Sequence, residues 1–335
     1  MREWNNCEVL VTGAGGFIGS HLVEALLRQG ARVTAFLHYN SRGDPGLLRY
    51  ADFPQSGKTS PGELQLYYGD LRDPQAVQRA MAGVQVVFHL GALIGIPYSY
   101  LHPYDVVQTN VLGTLNVLMA ARETQVARVV HTSTSEVYGT ALYTPIDEQH
   151  PLQGQSPYSA SKIGADKLAE SFHLSYGLPV TTVRPFNTYG PRQSARAVIP
   201  TIITQLSAGN HLTLGALTPK RDFTFVTDTV SGFLAAAASE ATVGEVVNTG
   251  SGQEISVGDL VTMIARLIGR DVSIDLDACR LRPEKSEVYQ LLADTRKLQQ
   301  LTDWRPTVSL EQGLKWTIDW ITTHLTLYQE KRYAV

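Results

Sequence analysis

The hydrophobic positions of the chain change period several times along its first half. An apolar, β-branched run at residues 8–12 stops at a glycine-rich turn, and apolar residues then recur at helical spacing from Phe17 to Leu26. Further runs of strand type lie at residues 32–37, 64–68, 84–90, 129–132 and 180–184. Helical stretches separate them, notably 106–123 and 158–176. Strands that alternate with helices predict an α/β fold with a doubly wound parallel sheet of the Rossmann type.

After residue 184 the pattern loosens into turn formers and a second group of elements. Residues 257–268 and 310–324 have the helical period. We therefore predict one domain over 1–184, with part of 223–250 returning to it, and a smaller C-terminal lobe over 185–222 and 251–330. The polar stretch 39–62 is long enough to predict a mobile surface loop.

Composition narrows the class of protein and its partners. The 335 residues are 43% hydrophobic and 18% charged, with a formal net charge of -3, so nothing predicts a nucleic-acid partner. No apolar run reaches the roughly eighteen residues of a membrane span. Cys7 and Cys279 are far apart and show no C-x-x-C spacing, which predicts neither a disulfide framework nor a metal site. The pattern favours a reducing, cytoplasmic environment and a small-molecule partner.

The first strand ends in the sequence "VTGAGGFIG". Gly13, Gly16 and Gly19 follow a strand and open a helix. Without Cβ atoms the backbone can turn sharply, and a pyrophosphate can approach amide groups at the positive end of the helix. A tight turn without a ligand is the alternative, but the strand, turn and helix order favours a dinucleotide site.

The end of the second strand should distinguish NAD from NADP. An acid there would hold a ribose 2'-hydroxyl and a base would accept a 2'-phosphate. The sequence "AFLHYNSRG" has His38 where the acid is expected and Arg42 shortly after it, so NAD is the predicted cofactor with NADP left open. "GDLRD" adds Asp70 as an adenine candidate. The candidate cofactor contacts are Gly13, Gly16, Phe17, Ile18, Gly19, His38, Asn40, Ser41, Arg42, Asp70, Leu71, Leu90, Tyr158 and Lys162.

Two further motifs carry candidate catalytic groups. "YSASK" places Tyr158 and Lys162 one helical turn apart, and a nearby ammonium would lower the tyrosine pKa from about 10 so that it can act as a base. The stretch "HTSTSEVYG" at the end of a predicted strand adds Thr134, Ser135 and Glu136. The glycine turn, the hydroxyl cluster and the tyrosine-lysine pair therefore predict one catalytic centre.

These motifs resemble those of the extended short-chain dehydrogenase/reductase superfamily over nearly the whole chain. The resemblance implies that Thr134 hydrogen-bonds the substrate beside Tyr158 and that Lys162 also holds the nicotinamide ribose. Asn110 in "TNVLGT" matches the family's helix asparagine and is a candidate substrate contact, although an ordinary packing amide is the alternative.

The carboxylate in "TSTSE" favours one branch of the superfamily. Nucleotide-sugar 4,6-dehydratases carry an acid at this position, whereas simple 4-epimerases usually lack it. Once C4 is oxidised, the C5 proton is α to a ketone, and Glu136 can remove it while water is lost from C6. Many dehydratases have an aspartate before the glutamate as the acid for the leaving hydroxyl. Ser135 stands there instead, so Glu136, through a proton relay, is the candidate acid.

The second lobe resembles the nucleotide-sugar segments of the same enzymes. "RPFNTYGPRQ", "KRDFTFVTD" and "LRPEKSEV" carry the candidate substrate contacts Asn187, Arg192, Arg221, Arg282 and Glu287. Arginine suits a diphosphate because its planar guanidinium forms paired hydrogen bonds. In detail the motifs look most like those of the dehydratases that act on UDP-N-acetylglucosamine with retention at C5, at the start of legionaminic-type nonulosonate synthesis.

Other readings of the motifs stay open. A UDP-glucuronate decarboxylase also shows "TSEVYG", but it would need an extra cation near the C6 carboxylate. A nucleotide-sugar 4-epimerase would leave the acid at position 136 idle. A dinucleotide-binding module without catalysis would not need an intact tyrosine and lysine.

The resemblance also implies a homodimer. In this superfamily the helices at 106–123 and 158–176 usually pair across a two-fold axis. Apolar residues on these helices either form that interface or pack within the chain: Val111, Leu115, Leu118, Ile163 and Leu168.

Overall fold

The computed structural model describes residues 4–52, 62–277 and 286–328. Seven parallel strands form the main sheet in the order β10-β6-β5-β4-β1-β2-β3. The strands are β1 (Glu8–Thr12), β2 (Arg32–His38), β3 (Glu63–Gly69), β4 (Val86–His89), β5 (Arg128–Thr132), β6 (Val180–Pro185), β7 (Asn187–Tyr189), β8 (His211–Leu214), β9 (Lys220–Phe225), β10 (Val246–Thr249), β11 (Glu254–Ser256), β12 (Ser273–Leu276) and β13 (Gln290–Leu291). The predicted doubly wound sheet is confirmed, and its order reverses between β1 and β4, where such folds bind ligands.

Helices cover the sheet and build most of the second lobe. They are α1 (Phe17–Arg28), α2 (Pro74–Ala80), α3 (Ile96–Leu101), α4 (Pro103–Val107), α5 (Gly113–Glu123), α6 (Pro157–Tyr176), α7 (Val198–Ala208), α8 (Val226–Ala238), α9 (Val257–Ile268), α10 (Arg296–Thr302) and α11 (Leu310–Thr323). Within the described ranges, none of them is both long and apolar enough to cross a membrane.

Local sequence fixes both ends of α6, the helix that carries the tyrosine-lysine pair. Ser156 and Ser159 form a reciprocal capping box, with Pro157 at the first helical position. Gly177, at φ 66°, ends the helix in the left-handed conformation that favours glycine. Between these caps, Tyr158 and Lys162 lie on the buried face of the helix.

The helix predicted at 106–123 is interrupted. A π-helical turn, Gln108–Leu112, joins α4 to α5. Asn110 lies in this turn and is fully buried. Its Oδ1 accepts from the Leu93 amide at 2.8 Å, and its Nδ2 donates to Leu93 O and to Ser161 Oγ, both at 2.9 Å. The extra residue in the turn places this amide where it joins the loop at Leu93 to Ser161 on α6.

The polar stretch predicted as a mobile loop is partly ordered, so that prediction needs correction. Gly46–Tyr50 forms a 3-10 helix. The Leu47 amide donates to Gly15 O at 2.9 Å, and the Tyr68 hydroxyl donates to Gly43 O at 2.6 Å. These bonds hold the stretch against the glycine turn, while residues 53–61 lie outside the described ranges.

The C-terminal elements add two small sheets. Strands β7, β11 and β13 all pair with β9, and β8 pairs with β12. Helices α7, α9 and α11 pack against them. One apolar cluster runs from Val9 and Leu22 beside the main sheet to Ile202, Leu260 and Leu314 in these helices. This shared core fixes the second lobe over the carboxyl ends of the parallel strands.

Candidate active site

One cavity of about 1530 Å³ lies between the carboxyl ends of the sheet strands and the C-terminal elements. It brings together residues that are distant in sequence. The predicted site residues that line it are Gly13, Gly16, Phe17, Ile18, Gly19, His38, Asn40, Ser41, Arg42, Leu90, Thr134, Ser135, Glu136, Tyr158, Asn187, Arg221 and Glu287. The cavity is large enough for a dinucleotide and a second ligand side by side.

The glycine turn between β1 and α1 is shaped by backbone contacts. Gly13 has φ +68°, and a Cβ atom there would lie 2.8 Å from the Gly91 nitrogen. A Cβ at Gly19 would lie 2.2 Å from Gly13 O. Gly16 is the N-cap of α1 without a side-chain cap, and the first turn of the helix has no acidic residue. This cradle therefore fits a pyrophosphate at the positive end of the helix.

Beyond β2 the cavity is lined by polar groups from the ordered loop. His38 is well exposed, and its Nε2 lies 3.7 Å from Asp70 Oδ2. Asn40 Oδ1 accepts from the amides of Arg42 and Asp44 at 3.2 and 2.8 Å, so its side chain shapes the loop. The acid that would hold a ribose 2'-hydroxyl is absent from the end of β2, because His38 occupies that position.

The predicted adenine contacts after β3 stay predictions. Asp70 is not among the residues that line the cavity, and Arg72 Nη2 lies 2.6 Å from its carboxylate. The hydrogen bond from Arg72 keeps the pKa of Asp70 below its usual value. Leu71 is buried against Gly91 and Gly113. Leu71 therefore supports the cavity wall at Gly91 from behind.

The catalytic candidates come from two adjoining elements, α6 and the 3-10 helix Ser135–Tyr138. Thr134 caps that short helix, accepting from the Glu136 amide at 3.2 Å, and its side chain hydrogen-bonds Tyr158. Glu136 is half-buried at the cavity wall, and its charge acts on the Tyr158 hydroxyl. Lys162 lies just behind this wall. Its Nζ donates to Thr132 O at 2.6 Å.

Burial dominates the ionisation of the tyrosine-lysine pair. It raises the pKa of Tyr158, with the hydrogen bond to Thr134 opposing and the carboxylates of Glu136 and Asp166 adding to the increase. Burial lowers the pKa of Lys162 to about 8. In the chain alone, burial therefore outweighs the predicted lowering of the Tyr158 pKa, and the Lys162 amine is held at the Thr132 carbonyl.

Two predicted substrate contacts have other roles. Asn110 does not line the cavity, because its amide is fully used by the backbone of Leu93 and by Ser161. Arg192 is also buried away from the cavity.

Arg192 fastens the loop after β7 to the face of α1. Its guanidinium pairs with Glu24 and donates to Ser20 Oγ at 3.2 Å, and its Nη2 lies 3.1 Å from His21 Nδ1. Burial, followed by the charge of Arg192, lowers the pKa of His21 to about 4. The imidazole is therefore neutral at pH 7 and can accept from the guanidinium. Arg192 positions the two lobes and does not reach the cavity.

The remaining substrate candidates line the far end of the cavity. Arg221 Nη2 lies 3.6 Å from Glu287 Oε1, and both side chains are largely buried. Asn187 Oδ1 is buried without a hydrogen-bond partner among the described residues. Such an atom at a cavity wall fits a ligand that can donate to it. Arg282 lies outside the described ranges.

Several cavity residues escaped the sequence prediction. Tyr98 and Tyr100 on α3 line the cavity, and the Tyr100 hydroxyl lies 2.6 Å from Ser286 Oγ. Arg196 also lines the cavity, a few residues past the "GPRQ" motif. The sequence could have indicated Arg196 through its proximity to that motif. No neighbouring motif marks Tyr98 and Tyr100 as cavity residues. Among the described residues, no group of three or more His, Cys, Asp or Glu side chains could hold a metal ion.

A doubly wound sheet with a glycine cradle and a buried tyrosine-lysine pair defines a dinucleotide-dependent protein class. A family model described as GDP-mannose 4,6 dehydratase matches residues 10–317. The chain thus belongs to the epimerase/dehydratase family of the extended short-chain dehydrogenase/reductase superfamily, which includes nucleotide-sugar 4,6-dehydratases and 4-epimerases.

Individual relatives span nearly the whole chain. A dTDP-glucose 4,6-dehydratase from Streptomyces griseus is 35% identical, covering 96% of each chain. DesIV, a dTDP-glucose 4,6-dehydratase from Streptomyces venezuelae solved with NAD bound, is 31% identical with a TM-score of 0.82, covering 96% of this chain and 98% of its own. A UDP-glucuronic acid 4-epimerase from Bacillus cereus, solved with UDP-glucuronic acid and NAD, is 29% identical with a TM-score of 0.84, covering 94% of this chain and 99% of its own.

Proposed function

We propose that this protein is an NAD-dependent nucleotide-sugar 4,6-dehydratase that converts UDP-N-acetylglucosamine to the 4-keto-6-deoxy sugar nucleotide. One observation carries the choice of reaction. The carboxylate of Glu136 shares a cavity wall with Thr134 and Tyr158, close enough for its charge to act on the tyrosine hydroxyl. The choice of UDP-N-acetylglucosamine rests on the resemblance of the motifs around these residues.

The glycine cradle and the relatives solved with NAD support NAD as the cofactor. Gly13, Gly16 and Gly19 would hold its pyrophosphate, and Lys162 would face the nicotinamide ribose. When bound, NAD supplies the oxidation at C4 and the reduction at C6, so no net oxidant is consumed. All other steps are proton transfers and belong to this chain's own residues.

The side chains divide these proton transfers among them. Tyr158 accepts the proton of the C4 hydroxyl, with Thr134 as its hydrogen-bond partner. This role requires that the bound cofactor and the Lys162 ammonium beside its ribose lower the Tyr158 pKa below its raised value in the chain alone.

The C4 ketone makes the C5 proton acidic, and Glu136 removes it. The C6 hydroxyl leaves as water after taking up a proton, and a C5=C6 double bond forms. Because Ser135 occupies the place of the usual aspartate and lines the cavity, Glu136 returns its newly acquired proton to that oxygen, with the Ser135 hydroxyl as a relay. When C6 is reduced, C5 takes up a new proton from solvent through Glu136, which is where deuterium enters.

The far end of the cavity would take the nucleotide. Arg221 suits a diphosphate, since a guanidinium offers paired donors. Glu287 beside it can accept from ribose hydroxyls, and the unpartnered Oδ1 of Asn187 can accept from the substrate. These roles are proposals that follow from the placement of the three residues along one wall.

A 4-epimerase is the second candidate. The similarity to the UDP-glucuronic acid 4-epimerase from Bacillus cereus favours it, as does the absence of an aspartate at position 135. An epimerase exchanges the configuration at C4 and never breaks the C5-H bond, so the fate of that proton separates the two functions.

We also propose a homodimer formed through the segment Pro103–Glu123. Tyr104, Val107, Leu112 and Met119 of this segment are exposed apolar side chains. Of the residues predicted for an interface, Leu118 is buried in the chain's own core, and Leu115 and Leu168 are partly buried and pack against it. The four exposed residues replace them as the candidate dimer surface.

The decisive experiment is to incubate the purified protein with UDP-N-acetylglucosamine in D2O and follow the sugar by NMR. A 6-deoxy-4-keto product with deuterium at C5 is expected. UDP-glucuronic acid and UDP-glucose in parallel reactions serve as controls for the sugar.

The outcomes distinguish the candidate functions. A galacto-configured product with hydrogen retained at C5 would replace the dehydratase with a 4-epimerase. Release of CO2 from UDP-glucuronic acid would indicate a decarboxylase. Binding of NAD with no turnover of any of the three sugars would contradict the proposed substrate class.

A further inference from the structure

Helix α6 carries a buried carboxylate that the proposed reaction does not use. Asp166 lies one helical turn after Lys162 and two turns after Tyr158, which places all three on one face. Its side chain is only 4% exposed. Burial of an ionised carboxylate is costly unless strong partners compensate it, so its partners indicate its role.

Asp166 joins α6 to the strands beneath it. Its Oδ2 accepts from Ser133 Oγ at 2.7 Å and from Arg184 Nη2 at 3.0 Å. Its Oδ1 accepts from His131 Nε2 at 3.1 Å. One carboxylate thus gathers a hydroxyl, an imidazole and a guanidinium from the ends of β5 and β6.

The bonds at β5 bear directly on Lys162. His131 and Ser133 flank Thr132, and the Thr132 carbonyl accepts from Lys162 Nζ at 2.6 Å. Asp166 therefore holds both neighbours of the carbonyl that orients the amine. The carboxylate is not itself within ion-pair distance of Lys162 among the described residues, so it acts on the amine through space and through this strand end.

The charges around the amine are unbalanced without this carboxylate. The titratable groups whose charges interact with Lys162 are Asp166 on α6, His89 on β4 and His131 on β5. Arg184 on β6 pairs with Asp166, and Glu136 acts on Tyr158, one turn before Lys162. Burial lowers the pKa of His89 and of His131, so both are neutral near pH 7. Asp166 is then the buried anion that faces two cations.

We propose that Asp166 is a positioning residue for Lys162: it fixes the Thr132 carbonyl that orients the amine and keeps that amine protonated within the buried site. The inference rests on the proposed function only in that the reaction needs a Lys162 ammonium at the nicotinamide ribose. Asp166 would contact neither substrate nor cofactor, yet it would set the charge of Lys162, which contacts the cofactor.

The ionisation of Lys162 agrees with this geometry. Burial lowers its pKa to about 8, and the charge of Asp166 acts in the opposite direction. Removal of that charge takes away the opposing effect, so the pKa falls further and the ammonium is lost closer to neutral pH. Loss of the carboxylate therefore lowers the pH at which Lys162 loses its proton, and activity should be lost first at the alkaline end of the pH range.

The test is a titration that needs no sugar. Selectively 13C-labelled lysine in the full-length protein is followed by NMR across pH, with Lys162→Arg to assign the signal. For Asp166→Asn we expect the Lys162 midpoint to fall by about one pH unit or more. Glu170→Gln is the matched control, because Glu170 is an exposed acid one turn further along α6 that pairs with Lys167. In this variant the midpoint of the Lys162 titration should equal that of the wild type.

An unchanged Lys162 midpoint in folded Asp166→Asn would overturn the proposal. If this variant does not fold because Arg184 is left as an uncompensated buried charge, the double variant D166N/R184M is compared with R184M alone, so that loss of the Arg184 charge, which by itself would raise the Lys162 midpoint, is common to both. A Lys162 midpoint in D166N/R184M that equals the midpoint in R184M is equally a refutation.

A second readout links the residue to turnover. With UDP-N-acetylglucosamine, the alkaline limb of the rate of deuterium entry at C5 should move to lower pH in Asp166→Asn, by the same amount as the lysine midpoint. A uniform loss of rate at all pH values, without movement of the limb, would reduce Asp166 to a structural role. A wild type that turns over no sugar would overturn the proposed function, whereas the lysine titration would still decide the role of Asp166.

Discussion

At the scale of single residues, the site combines two carboxylates with different duties. Glu136 is half-buried at the cavity wall and can reach a substrate, whereas Asp166 is enclosed behind the wall and bonded on both oxygens. Burial and partners, not residue type, separate a group that exchanges protons from one that holds a fixed charge. Hydrogen bonds from His131, with the charges of Arg184 and Lys162, overcome the effect of burial and keep the pKa of Asp166 below its usual value.

Glu136→Gln tests the first duty. The amide keeps the shape of the side chain but cannot take the C5 proton, so we expect deuterium entry at C5 to fall by about a hundredfold or more. Transient reduction of the bound dinucleotide on addition of UDP-N-acetylglucosamine should persist, because C4 oxidation does not use this carboxylate. The two signals are measured by NMR and by near-ultraviolet absorbance.

Tyr158→Phe is tested by the same two measurements, reduction of the bound dinucleotide and deuterium entry at C5. It removes the base for the C4 hydroxyl, so both reduction of the dinucleotide and deuterium entry should be lost. Deuterium entry at the wild-type rate in Glu136→Gln would exclude Glu136 as the C5 base. Normal dinucleotide reduction in Tyr158→Phe would exclude the tyrosine as the C4 base.

At the scale of elements, the glycine turn shows why a short motif needs its neighbours. Gly13 ends β1 in a positive-φ conformation, and the space for its missing side chain is occupied by the backbone of residue 91, at the end of the next strand in the sheet. The turn is therefore shaped by contact between two crossovers of the sheet. The glycine spacing is visible in the sequence, but the contact with residue 91 is not.

Gly13→Ala measures that contact. The alanine Cβ would lie 2.8 Å from the Gly91 nitrogen, so the turn must shift, and NAD affinity should fall by about tenfold or more. Gly83→Ala is the matched control, because Gly83 also has positive φ, at +76°, but nothing lies within 4 Å of its Cβ position. Both variants should lose about 1 kcal/mol from the backbone alone.

The comparison of Gly13→Ala with Gly83→Ala separates the effect of crowding against residue 91 from the effect of backbone strain. Urea unfolding gives the loss of stability, and calorimetric titration gives NAD affinity. Gly83→Ala should bind NAD as the wild type does. Equal stability and equal NAD affinity in the two variants would show that the close approach to residue 91 does not shape the cradle.

At the scale of the whole molecule, the same helical segment serves the site and the proposed dimer. The π turn Gln108–Leu112 directs Asn110 inward, where it joins the cavity loop to α6, while Leu112 stays 47% exposed. A dimer through this surface would therefore lie directly behind the catalytic helix. Its formation would support the position of α6.

Leu112→Arg tests the surface. A buried guanidinium without a partner is costly at an apolar interface, so we expect the variant to sediment as a monomer at concentrations where the wild type is a dimer. Leu276→Arg is the control, because Leu276 is an exposed leucine on β12, away from this segment. A wild type that sediments as a monomer would contradict the dimer, and a Leu112→Arg dimer would contradict this surface.

Much of the fold was predictable from the sequence because it depends on short-range pattern. The strand and helix periods gave the sheet class, since alternation of the two elements admits few topologies. The boundaries of α9 and β1 agree with the predictions to the residue. The sequence did not predict the interruption of the helix at 106–123, because one extra residue in a π turn leaves the spacing of apolar residues almost unchanged.

The sequence by itself determined the features that depend on neighbours along the chain: the glycine turn after β1, the one-turn spacing of Tyr158 and Lys162, and the adjacency of Thr134 to Glu136. The tertiary structure alone decided which polar side chains reach the cavity. Asn110 and Arg192 match motifs, yet Asn110 donates to Ser161 and Arg192 pairs with Glu24, partners that are 51 and 168 residues away. A buried polar group binds whatever the packed elements bring within about 3 Å, and a linear pattern does not contain that proximity.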